Sequence, residues 1–146
     1  MASGAGRGRA LDPAETTRDR RRRHILAAQG AYYMLIGAWP LIHFPSFARF
    51  VGLPVNPFQA HAFGALLVVV GGVLLESVRR ETSEALATLL GLAAAAAIAL
   101  VEAMWLPRFG IMTPLWIDLG VQVALALTLG LFYPREITAA RVNRRR

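Results

Sequence analysis

The sequence contains no cysteine. That removes disulfides, thiolate metal sites and cysteine nucleophiles together. Lysine is absent as well, so all 16 basic residues are arginine. No Gly-rich phosphate loop, serine elbow, paired-histidine metalloprotease signature or haem-attachment sequence occurs, and no apolar stretch is dense in charge as a coupled ion pump requires. No catalytic motif therefore assigns an enzyme activity, and no cofactor is identifiable. What is abundant is hydrocarbon. Of the 146 residues, 55% are hydrophobic and the mean hydropathy is +0.45, more apolar than an ordinary soluble domain of this length.

The net charge of +7 raises nucleic acid as a partner, but the placement of the charges argues against it. Seven arginines, Arg7 to Arg23, precede the first apolar run, and five, Arg135 to Arg146, follow the last. These are flanks of membrane segments touching anionic lipid, not a basic surface interleaved with aromatic side chains. Trp39, Trp105, Trp116 and Tyr133 lie near the ends of apolar runs, as aromatic anchors in the headgroup layer do.

Four windows approach the ~20 helical residues that cross a hydrocarbon core. They run over residues 25–42, 60–78, 85–106 and 115–133. The first follows RRRRH yet is longer than a secretion-signal core and lacks a cleavage site, so it reads as a retained helix. The expected fold is all-α, a four-transmembrane-helix bundle over residues 21–134. A disordered Arg-rich tail (1–20), with a short helix beginning after Asp12 and Pro13, precedes it, and a basic tail (135–146) follows. An even number of spans puts both termini on one side. Fourteen of the 16 arginines fall on the side of the tails and the middle loop, against Arg49 and Arg108 opposite. The positive-inside rule then makes both termini cytoplasmic and the protein integral to the cell membrane.

Small residues supply the packing surfaces that lipid-embedded helices require. Ala87, Gly91, Ala95, Ala99 and Ala103 recur every four positions in the third window, a stripe for intramolecular packing or a homodimer. Gly30 and Gly37, like Gly64 and Gly71, recur at seven. Between the first two spans, Ser46 is expected to cap a turn or two of interfacial helix carrying Phe47, Phe50, Val51 and Leu53.

Two carboxylates break the apolar pattern. Glu102 lies four residues before the end of the third span and Asp118 four residues after Pro114, so each sits ~6 Å inside its helix end. Joined by the short connection PRFGIMTP, their helices are neighbours and the carboxylates share a depth. His43, His61, Gln122 and Arg108 fall at the same outer level and complete the candidate ligand-binding set. The cytoplasmic half holds only Gln29 and the Tyr32, Tyr33 pair. A structural alternative has Asp118 favoured by the helix dipole behind Thr113 and Pro114, with Glu102 paired to Arg108, merely fixing the hairpin. The histidines are equally at home as interfacial residues, and without local ligand spacing no metal site is assigned. Ionisable groups inside a span are nonetheless functional candidates.

The stretch GAYYMLIGAWPLIHFPSFARFVGLPVNPFQAHAFGALLVVVGGVLL, followed by a basic loop and an acidic hairpin, resembles the small bacterial four-helix membrane proteins that include the DoxX-like families. The resemblance covers residues 25–133 and implies a four-helix bundle in the cytoplasmic membrane, in some members associated with partner redox enzymes. It carries over no catalytic residue. From the residues themselves, the expected function is binding of a lipid, quinone or similar amphipathic molecule, or of a partner subunit, in the outer half of the bundle. The alternatives are a structural or assembly subunit of a membrane complex and a small proton-linked transporter.

Overall fold

The computed structural model of the chain describes residues 13–80, 84–108 and 114–133. Four α-helices follow one another: α1 (Pro13–Val51), α2 (Pro57–Arg80), α3 (Glu84–Trp105) and α4 (Leu115–Leu131), with a 3-10 turn at Leu106–Arg108. The expected all-α architecture is present, with no strand among the described residues. Three stretches are long and apolar enough to cross a membrane, Thr17–Val51, Pro57–Arg80 and Ala85–Arg108. α4 is equally apolar, but its 17 residues span only ~26 Å, short of a ~30 Å hydrocarbon core. Large apolar side chains cover the outside as well as the core, and a few polar ones are fully buried. Leu35 is 73% exposed and Leu66 65%, while Gln29 and Tyr33 are 0% exposed, as expected where the surroundings are hydrocarbon.

Helix boundaries follow local chemistry that hydropathy alone does not read. α1 begins at Pro13, a residue preorganised for the first turn, so the helix expected after Asp12 and Pro13 is present and runs on into the first span. An ion pair between Asp19 and Arg22, 3.0 Å apart, supports that segment. Residues 1–12 and 134–146 lie outside the described part, as do the middle connection (81–83) and most of the α3–α4 loop (109–113). At its far end α1 breaks at His43 (φ −148°, ψ 77°) and resumes as a short helix to Val51. The cap of that piece is His43, not Ser46 as expected: the Ser46 N–H donates to His43 Nδ1 (3.2 Å) and the Ser46 hydroxyl to the His43 carbonyl (3.0 Å). Pro45 cannot donate within the old helix, which favours a restart at this point. Gly52, at φ 68°, closes the piece in the left-handed region. Asn56 Oδ1 then accepts the Phe58 and Gln59 N–H groups, so α2 starts three residues earlier than its apolar window.

The helices pair as two antiparallel hairpins, α1 with α2 and α3 with α4, the first the more intimate. Its seam is made of reciprocal glycines. A Cβ on Gly37 would lie 2.5 Å from the Gly64 carbonyl oxygen, and one on Gly64 2.5 Å from that of Gly37. One turn pair along, Gly30 and Gly71 meet in the same way, at 2.9 and 2.6 Å. A spacing of seven drifts only ~20° around a helix, so both pairs stay on one face. The four-residue stripe on α3 drifts ~40° per step, or ~160° over its length. Ala87, Gly91 and Ala95 are accordingly buried, Ala99 is half-buried and Ala103 is exposed.

Candidate functional site

The sequence places α1 where its polar residues can meet α3 and α4. Tyr32 and Tyr33 are adjacent, and Gln29 lies one turn earlier, so all three project from neighbouring parts of one helix side, flanking the glycine seam. From there a chain of hydrogen bonds ties three helices together. Tyr32 donates its hydroxyl to Asp118 Oδ1 (2.6 Å), and Gln122 Nε2 donates to the same oxygen (3.1 Å). Tyr33 donates to Gln122 Oε1 (2.9 Å) and accepts from Gln29 Nε2 (3.0 Å), which also reaches the Gly91 carbonyl on α3 (2.8 Å). Gly91 makes room for that amide, because a Cβ there would lie 2.5 Å from Gln29 Oε1.

Glu102 stands beside this chain. Its Oε2 is buried with no hydrogen-bond partner among the described residues. From Glu102 to Gly91 the polar strip extends ~16 Å along α3, eleven residues at 1.5 Å each. It therefore runs deeper than the single outer layer expected, with Gln29, Tyr32 and Tyr33 as part of it.

Of the residues singled out from the sequence, Glu102, Asp118 and Gln122 are brought together. His43, His61 and Arg108 are not among them. His43 is exposed and caps the short helix; His61 Nδ1 contacts the Pro57 carbonyl (2.6 Å) while its ring lies 5.6 Å from that of Phe44. Arg108 covers the Trp105 ring at 5.1 Å and donates to the Met104 carbonyl, rather than pairing with Glu102. Each is held by bonds within its own turn, which outcompete a long reach across the bundle. Asp118 lies in the first turn of α4, where the helix dipole favours a carboxylate, and it accepts from Tyr32 on α1; Pro114, expected at the first position, stands at the N-cap without a side-chain bond, and Thr113, the expected cap, lies outside the described residues. Among the described residues no group of three histidine or acidic side chains is arranged to hold a metal ion.

Next to Asp118 lies a partly open cavity of about 240 Å³. The break at His43 builds it, by folding the 44–51 piece back so that Phe47 and Phe50 face the body of α1. Trp39 packs on both rings, at 6.1 and 4.9 Å, and its indole N–H is fixed by Ser46 Oγ (2.8 Å). Ile36, Leu115 and Ile117 complete the apolar walls, with the Tyr32 ring and the Asp118 carboxylate at one side.

The chain matches no known protein family, curated protein or solved structure. Functional argument therefore rests on this geometry: an aromatic and aliphatic cavity with one carboxylate, backed by a second carboxyl and a hydrogen-bonded strip. Gln29, Tyr32 and Tyr33, expected near mid-span and apart from the candidate site, are joined to it through Asp118 and Gln122. Their i, i+3 and i, i+4 spacing was the available signal that one helix face is polar.

Proposed function

We propose that this chain is a small multi-pass protein of the cell membrane, of the DoxX-like four-helix kind. All four helices lie in the bilayer, both termini are cytoplasmic, and an amphipathic small molecule such as a lipid or quinone is bound in the outer half. The observation that carries the reading is the cavity beside Asp118, apolar on its walls and polar at one side, the usual makeup of a small-molecule site. The orientation rests on the arginine bias, and α4 reaches across by continuing toward Tyr133 or by local thinning of the bilayer.

The test is extraction and mass spectrometry of small molecules that copurify with wild type, Glu102→Gln and Asp118→Asn. The expected outcome is a bound molecule in wild type that both variants lose while remaining monodisperse and helical. Equal retention in all three removes the reading.

A second reading, an assembly subunit, is favoured by the strip from Asp118 to Gly91, which locks α1, α3 and α4 into one rigid unit. Copurification in mild detergent separates the two, since a stoichiometric protein partner without a small molecule supports the subunit. A proton-linked carrier requires polar groups onward to the arginine-rich end, where Thr88 and Arg22 are the buried polar residues beside the apolar cluster of Leu26, Leu74, Ala87 and Leu129.

A further inference from the structure

Asp118 meets the cavity as an acceptor, and the donors around it are already engaged. The Tyr32 hydroxyl and the Gln122 amide both donate to Asp118 Oδ1, and the Trp39 indole N–H donates to Ser46. Both of these bonds to the carboxylate land on Oδ1. A carbonyl or phosphate head entering this space finds no free donor among the cavity's side chains.

Charge leads to the same chemistry. Among the described residues neither Asp118 nor Glu102 has an ion-pair partner. Arg49 donates to the Pro45 carbonyl (3.4 Å) and Arg108 lies over Trp105. A carboxylate in hydrocarbon surroundings is normally matched by a cation, and here no described residue forms that pair. Faces of aromatic rings supply the complementary attraction. Tyr32, Trp39, Phe47 and Phe50 all line the cavity, and ring faces attract cations, most strongly when water is excluded.

We propose that the cavity takes an amphipathic cation, a protonated or quaternary amine carried on an apolar body, with the amine against Asp118 and the aromatic rings and the body along Ile36 and Leu115. This deepens the ligand-binding reading above and rests on it. The partly open side lets a longer tail leave the 240 Å³ space between α1 and α4. Among the amphipathic molecules of that reading, this chemistry ranks a cationic head above a quinone carbonyl or an anionic lipid head.

The experiment uses the full chain in nanodiscs of zwitterionic lipid and three probes with one tail: decyltrimethylammonium, decanol and decanoate. Saturable binding is read by quenching of tryptophan fluorescence and by native mass spectrometry. Wild type is expected to bind the ammonium probe at least tenfold more tightly than the other two, and Asp118→Asn to reduce that preference below threefold. Leu115→Trp, which fills the cavity, is expected to abolish binding of every probe. Decanol bound as tightly as the ammonium in wild type, and lost in Leu115→Trp, overturns the cation assignment while leaving the cavity reading intact. Saturable binding of no probe, or binding untouched by Leu115→Trp, overturns both. The head-group series on wild type decides the matter even where Asp118→Asn fails to fold.

Discussion

The two sides of α1 solve the same problem with opposite chemistry. Toward α2 the helix presents Gly30 and Gly37, and the two backbones approach until there is no room for a methyl group. Toward α3 and α4 it presents Gln29, Tyr32 and Tyr33, and is held at side-chain distance by hydrogen bonds. In hydrocarbon neither side gains from hiding apolar surface, so association comes from close dispersion contact on one side and polar pairing on the other. The glycine seam leaves no space, whereas the polar side leaves a cavity next to a carboxylate. Rigidity belongs to the first and ligand chemistry to the second.

Substitutions on each side separate these roles. The largest effect is expected at Gly37→Ala, whose new methyl meets the Gly64 carbonyl oxygen and the backbone nitrogen of Val68, neither of which can swing away. A loss of about 3 kcal/mol, the upper end for overpacking, is expected in reversible unfolding in mixed micelles. Gln29→Leu comes next. It removes the donor to Tyr33 and Gly91 and costs about 1 to 2 kcal/mol in the same measurement, while the glycine seam stays intact. Tyr32→Phe deletes a single bond to Asp118, to which Gln122 still donates, and costs about 0.6 kcal/mol, the average for such bonds inside membranes. Smallest is Gly72→Ala. Nothing lies within 4 Å of its added methyl, so the gain in helix preference, about 0.5 kcal/mol, is expected to appear as slight stabilisation. A Gly37 variant as tolerant as the Gly72 variant contradicts the seam.

Much of this arrangement was legible in the residues, and the boundary between what was and was not has a physical cause. Long apolar windows locate helices because crossing hydrocarbon demands them, and three stretches meet the length criterion. The juxtaposition of Glu102 and Asp118 followed from a short connection and equal depth, both of which are one-dimensional quantities. Rotation of a helix about its axis is not one-dimensional. The contact of Tyr32 with Asp118, 86 residues apart, depends on how the glycine seam turns α1, which hydropathy does not encode. Local hydrogen bonds misled in the other direction. His43, His61 and Arg108 share the depth of the carboxylates, yet each is satisfied within four residues of itself. The cavity, finally, depends on the break at His43, where Pro45 and the Ser46 N–H bond to the imidazole turn a continuous helix back on itself.

The central claim, that the cavity beside Asp118 is a binding site and not a packing gap, is tested most directly by native mass spectrometry of wild type against Leu115→Trp. Both are released from nanodiscs under identical conditions. Leu115 lines the cavity but stands outside the buried core, so the larger ring fills the space without replacing a core contact. The expected result is a small-molecule adduct of one mass on wild type and none on the variant. The same adduct on both proteins, or none on either, contradicts the account.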